Sequence, residues 1–257
     1  MIGESKYFSF DGRKSTDYPI ININVSTGSP SPFSESVGSG KTINEVYPRK
    51  AFRPHFYGVQ KSVKQFSVSF AFTEPWNDDL MDEIIMWLNT DEYKPLFFEA
   101  DVDRVFYAMP VEDIGLIHNG LKEGYLTLTF RCDSAYSYSH EIITPIYDTI
   151  EEDLEMIEIT NRGHYKIYPE MWIEKIDDGD LVLNNLTNGN QEMRFENIDV
   201  GEVLHIKCQT EIIKTSKEDT FRYEDFNDVY LEILYGKNRI KLSKNMRIRI
   251  KYQYIYS

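Results

Sequence analysis

The 257-residue chain carries 42 acidic against 28 basic side chains, a formal charge of −14, which argues against the phosphate-neutralising surface that stable nucleic-acid binding needs. Its 18 Tyr and 15 Phe, with many short β-branched runs, favour sheets over helical bundles. The length suits two domains of ordinary size, and no apolar run is long enough for membrane insertion.

In chain order, residues 7–25 read as two short strands around the Asp11-Gly12 turn, the second running from Tyr18 to Val25. The Ser, Gly and Pro-rich stretch Gly28 to Lys41 has no periodicity and reads as a long loop, the kind that often contacts a partner. Arg49 to Gln60 follows as a strand.

The stretch Phe66 to Met109 organises the rest. Phe66, Val68, Phe70 and Phe72 share one face of a strand. The period then changes: Leu80, Met81, Ile84, Ile85, Trp87 and Leu88 recur at helical spacing within residues 77–89, with Asp78, Asp79, Asp82 and Glu83 on the outer face. Asn77 suits the N-cap, and Asp78 and Asp79 suit the positive end of the helix dipole. Pro95 cannot continue a helix, so Leu96 to Phe98 and Val105 to Tyr107 are expected as strands joined by a Glu99 to Arg104 turn.

Tyr125 to Cys132 alternates cleanly and closes a first domain, 1–149. The second, 150–257, opens on the acidic Glu151 to Glu158. Its strand candidates are 165–176, 180–184, 191–195, 202–208, 229–234, 239–242 and 246–256, punctuated by glycine turns at Gly179, Gly189, Gly201 and Gly236. Short strands at this spacing indicate a β-sandwich, so the fold class is mainly β with one helix.

No constellation for chemistry emerges. The string GSGKT, Gly38 to Thr42, ends like a phosphate-binding loop, but that motif needs a glycine where Glu35 stands, a strand before and a helix after. The helix carboxylates belong to a solvated face rather than an acid and base pair. Glu99, Asp101 and Asp103 lack the glycine and later glutamate of a calcium loop. The five histidines, at 55, 118, 140, 164 and 205, show no zinc-ligand spacing. Cys132 and Cys208 read as buried free thiols. The sequons at Asn24 and Asn185 are chance matches, because the N-terminus has neither a basic start nor an apolar segment for secretion. The chain is therefore expected in the cytosol unless a larger assembly carries it out. Trp172, Tyr252, Tyr254 and Tyr256 could form a sugar platform, with core packing the default.

One resemblance rests on the order of features: FSVSF, a helix ending Ile84-Ile85-Met86-Trp87-Leu88, then Lys94-Pro95-Leu96-Phe97-Phe98, Asp103 to Ala108, and Phe130 to Tyr136. The second half adds Asn161-x-Gly163 with Pro169, Gly201-Glu202, and Leu234-Tyr235-Gly236-Lys237-Asn238. In this order the chain resembles the distal tail proteins of long, non-contractile phage tails, the siphovirus-type tail component family. The Gly28 to Lys41 loop and the acidic Glu151 to Glu155 segment match no family feature.

The resemblance implies a structural virion protein with no catalysis, cofactor or metal. It implies an N-terminal sandwich or split-barrel domain whose helix and hairpin support a homo-hexameric ring, and a C-terminal galectin-like β-sandwich. One ring face would meet the tail-tube protein and the other the tail-tip hub, with a receptor-binding protein or host saccharide as a further partner. The protein would assemble in the host cytoplasm and reside at the tail tip. A DNA passage through such a ring would be lined by acidic residues. The strand edges and the hairpin of the Phe66 to Met109 stretch are where one subunit is expected to meet the next. The alternative reading is a carbohydrate-binding adhesion module acting through the C-terminal sandwich, and a third, a cell-wall hydrolase, finds no residues to support it.

Overall fold

The computed structural model describes residues 5–26, 40–151 and 153–257. The chain divides into two compact units, up to Tyr138 and from Ser139 to Tyr256. The expected boundary at Thr149 thus falls inside the second unit, because Ile142–Ile143 and Tyr147–Asp148 pair with the late strand Met246–Tyr252. Most of the Gly28 to Lys41 loop lies outside the described residues.

The first unit contains β1 (Phe8–Phe10), β2 (Arg13–Lys14), β3 (Ile20–Ser26), β4 (Lys41–Val46), β5 (His55–Lys61), β6 (Gln65–Phe72), helix α1 (Asp78–Leu88), β7 (Lys94–Phe98), β8 (Asp101–His118) and β9 (Gly124–Cys132). Seven of these strands form one antiparallel sheet in the order β2-β1-β7-β8-β9-β6-β3. A short β10 (Ser137–Tyr138) adds to β8 through Tyr138 and Val105. The period-two pattern of β6 is realised: Phe66, Val68 and Phe70 are buried, while Ser67 and Ser69 are only half-covered. Each buried phenylalanine contributes about 1.5–3 kcal/mol of transfer free energy.

Helix α1 begins as its sequence dictates. Asn77 Oδ1 accepts the Leu80 amide at 2.7 Å, and Asp78 and Asp79 occupy the first turn. Ile84, Trp87 and Leu88 are buried against the sheet, whereas Ile85, expected on the inner face, is exposed. Trp87 packs on the N-terminal segment: its ring stacks on Phe8 at 5.5 Å and on Tyr18 at 5.0 Å. The helix therefore clamps β1 as well as the sheet beneath it.

The turn expected over Glu99 to Arg104 is tighter than that. Phe98 pairs with Asp101, and β8 then runs for 18 residues. Its register to β9 slips between Val111 and Gly115, a bulge in which Glu112 takes a φ of 68°.

The second unit contains β11 (Ile142–Ile143), β12 (Tyr147–Asp148), β13 (Met156–Asn161), β14 (Glu170–Lys175), β15 (Leu181–Asn185), β16 (Gln191–Phe195), β17 (Val203–Lys207), β18 (Ile212–Thr215), β19 (Gly236–Leu242), β20 (Met246–Tyr252) and β21 (Ile255–Tyr256). One sheet runs β11-β20-β14-β17-β18 with β12 also on β20, and the other runs β13-β19-β15-β16. A single buried cluster takes Met171, Ile173, Ile206 and Ile248 from the first sheet and Ile159, Leu183, Met193 and Ile240 from the second, which defines a sandwich. Residues 229–234, expected as a strand, contribute buried Leu231 and Ile233 and a single bridge to Ile167 instead.

Three buried asparagines tie this sandwich together. Asn161 donates to the Tyr165 carbonyl at 2.8 Å and accepts the Gly163 amide at 2.9 Å. Asn185 donates to Asn238 at 3.1 Å, and Asn238 accepts the Leu234 amide and donates back to the Leu234 carbonyl. The Asn161-x-Gly163 and Leu234 to Asn238 signatures are thus turn-fixing hydrogen bonds in a low-dielectric interior. The sequon asparagine Asn185 is fully buried, which explains why the match is fortuitous.

Candidate functional site

The residues weighed for chemistry are dispersed by the fold. Asp78, Asp79, Asp82 and Glu83 lie exposed along α1, with Asp78 paired to Lys122 at 2.7 Å and Glu83 near Arg13 at 3.9 Å. Asp101 pairs with Arg104 at 3.3 Å. Among the described residues no three His, Cys, Asp or Glu side chains gather where a metal could sit. Lys41 and Thr42 open a strand, whereas a phosphate-binding loop would open a helix at that point. Both thiols are buried, and burial pushes each up to about 12. Tyr252 and Tyr254 are partly buried against the sandwich core. Tyr256 is half-buried with its ring 5.5 Å from that of His164, and Trp172 lies on the half-exposed face of its strand.

What the structure brings together is a different feature. Among the described residues, strands β4 and β5 pair only with each other and form a two-stranded arm. Its root is fixed: the Ser62 amide donates to the Gly40 carbonyl at 2.8 Å, the Lys61 ammonium sits 4.7 Å from the Tyr136 ring centroid, and the Lys64 amide donates to Ser134 at 3.1 Å. Beyond the root, Ile43, Val46, Tyr47, Phe52, Phe56, Tyr57 and Val59 are all exposed, Tyr57 at 72% and Phe56 at 64%. A bulge opposite Asn44 and Glu45 leaves Tyr57 unpaired in the ladder, and Gly58 adopts a φ of 144° that a side chain would resist.

Such an arm is under-supported as an isolated ribbon. Two strands alone are marginal in water, and aromatic side chains on an uncovered ribbon favour a partner that covers them. The hairpin β7 and β8, where subunit contacts are expected, buries Leu96, Phe98 and Phe106 on its inner face and leaves its tip, with Glu99, Ala100 and Val102, exposed. From the sequence, Arg49 to Gln60 reads as one strand, whereas β5 begins at His55. The available signal was the density of aromatics, Tyr47, Phe52, Phe56 and Tyr57, without a period that would bury one face.

The comparisons with known proteins cover both units. Residues 4–134 match the family model of a phage tail protein N-terminal domain, and residues 136–252 that of a phage tail C-terminal domain. The SPbeta prophage-derived uncharacterized protein YomH of Bacillus subtilis strain 168 is 31% identical over 256 residues, 100% of both chains. The crystal structure of the SPP1 Dit protein, described as a paradigm of the hub adsorption apparatus in Gram-positive infecting phages, aligns with a TM-score of 0.70 at 12% identity, over 96% of this chain and 98% of that one. A chain of the phage p2 baseplate in its activated conformation aligns with a TM-score of 0.54 at 11% identity, over 96% and 97%. The structural likeness concerns the fold, and it is the fold that the resemblance to distal tail proteins implies. The chain belongs to the phage tail protein family whose N-terminal and C-terminal domains together span it.

Proposed function

We propose that the protein is a ring-forming structural component of a phage tail tip, six copies closing through their first units to join the tail tube to the tail-tip hub and adhesion apparatus. The observation that carries this reading is the β4 and β5 arm, whose seven exposed apolar side chains have no cover within the described residues of one chain. A heterologous, head-to-tail contact in which each arm covers the next subunit closes into a ring without leaving an arm bare. The role is structural: the carboxylates and histidines are scattered, and burial pushes both thiols up to about 12, away from the thiolate a nucleophile needs.

The reading is tested by replacing Phe52, Phe56 and Tyr57 with serine and measuring particle mass by light scattering, with and without the proposed tube and hub partners. The wild type is expected to form rings and the triple variant to stay monomeric with an unchanged circular dichroism spectrum. Assembly of the variant like the wild type would remove the arm from the account.

A further inference from the structure

We propose that the outward face of the β20-β14-β17 sheet is a binding site for an acidic saccharide, held by Trp172 and Arg249. The site lies within the second unit alone and does not depend on ring formation.

Trp172 lies in the middle of this face. Its register neighbours are His205 on β17 and Arg249 on β20. The imidazole of His205 stacks on the indole at 4.8 Å with an interplanar angle of 8°. His205 is itself held, with Nε2 2.7 Å from Glu170 Oε1, and Lys251 holds the other Glu170 oxygen at 2.8 Å. One face of the indole is therefore fixed against a braced ring, and the rest of the side chain borders a hollow of about 370 Å³. That volume sits at the lower end of the range for small-molecule sites.

The hollow has a defined chemistry. Ile143, Ile146 and Val203 supply apolar walls, and Glu174, Arg247 and Arg249 supply charge. Arg247 is committed to Asp148 at 2.6 Å, Glu174 at 3.5 Å and Glu151 at 3.7 Å. Arg249, by contrast, forms no ion pair or hydrogen bond among the described residues, in a chain of net charge −14. A guanidinium left without a counter-ion beside a flat aromatic and an apolar wall is complementary to a ring with apolar C–H faces and one anionic substituent. Its planar fork suits a carboxylate or phosphate. Sugar acids and sugar phosphates share that chemistry, whereas neutral sugars offer the exposed Arg249 no anion and inorganic phosphate offers Trp172 no ring face.

The test uses the full chain and ligand-observed NMR with four probes: glucuronic acid, glucose 6-phosphate, glucose and inorganic phosphate. Binding of either acidic sugar, at least tenfold tighter than glucose and inorganic phosphate, supports the site and tells the two anion sources apart. R249Q, an exposed substitution that spares the core, is expected to weaken acidic-sugar binding about tenfold. W172F retains an aromatic face and keeps partial binding, while W172A abolishes it. Inorganic phosphate binding as tightly as glucose 6-phosphate, acidic-sugar binding that R249Q leaves unchanged, or no binding of either acidic sugar would overturn the proposal.

Discussion

The indole nitrogen of Trp87 donates a 2.9 Å hydrogen bond to the backbone carbonyl of Phe10, joining the end of the helix to the first strand across 77 residues of chain. Both partners are buried, so the bond is made where water cannot replace it. Replacing Trp87 with phenylalanine keeps much of the stack on Phe8 and Tyr18 but orphans the Phe10 carbonyl. Chemical denaturation is expected to show a loss of about 1–3 kcal/mol, and W87A a larger loss of about 3–5 kcal/mol. Equal stability of W87F and wild type would mean that the carbonyl finds another donor.

A second junction lies in the sandwich, where Arg222 grips Glu202 through two bonds of 2.8 and 2.7 Å and reaches Asp225 at 2.9 Å. The Glu202 side chain is wholly buried, so removing its partner strands a charge. R222A is expected to cost about 3–5 kcal/mol, and pairing R222M with E202Q to restore much of that loss. Burial pushes the Glu202 carboxyl up, but the bonds from Arg222 and Thr215 more than offset it, and the net shift is downward. A depressed carboxylate contributes stability that is complete above its unfolded value, about pH 4.3, and drains away as pH falls through the folded value. The acid limb of a stability profile should therefore be shallower in E202Q than in the wild type.

Gly124 begins β9 where a Cβ would fall on the Ile117 carbonyl oxygen and within 2.9 Å of His118 Cα. Neither atom belongs to a flexible side chain. G124A should destabilise the first unit by about 1–3 kcal/mol, whereas G120A strains only an open turn and should cost less; a reversed order in thermal melts would contradict the close approach.

The thiols offer a check on the core. With Cys132 and Cys208 both pushed up to about 12 by burial, neither should react with a thiol reagent at pH 8 in the folded protein. Both should react once guanidinium unfolds it. Rapid labelling of the native protein would show that one of the cores opens.

These features differ in how far the sequence announces them. The helix was readable because cap, charge and period agree at Asn77, Asp78 and Ile84, and β6 because Phe66, Val68 and Phe70 alternate against Ser67 and Ser69. Strand β13 was hidden inside an acidic run: Ile157 and Ile159 are buried while Met156 and Glu158 face water, and the charges dominate the pattern. Strand β18 is four residues with one buried side chain, too short to show a period. Of the arm, β5 lies within the expected Arg49 to Gln60 strand, but β4 escapes notice, since a ribbon with both faces exposed carries no alternation. The Trp172 stack on His205 depends on cross-strand register, which no local pattern encodes.

The central claim is assembly, and native mass spectrometry tests it most directly. The full chain, alone and mixed with the proposed tail-tube and tail-tip hub partners, is expected to give a species of six times the 30.2 kDa protomer mass. A chain that stays monomeric in both samples would contradict the account.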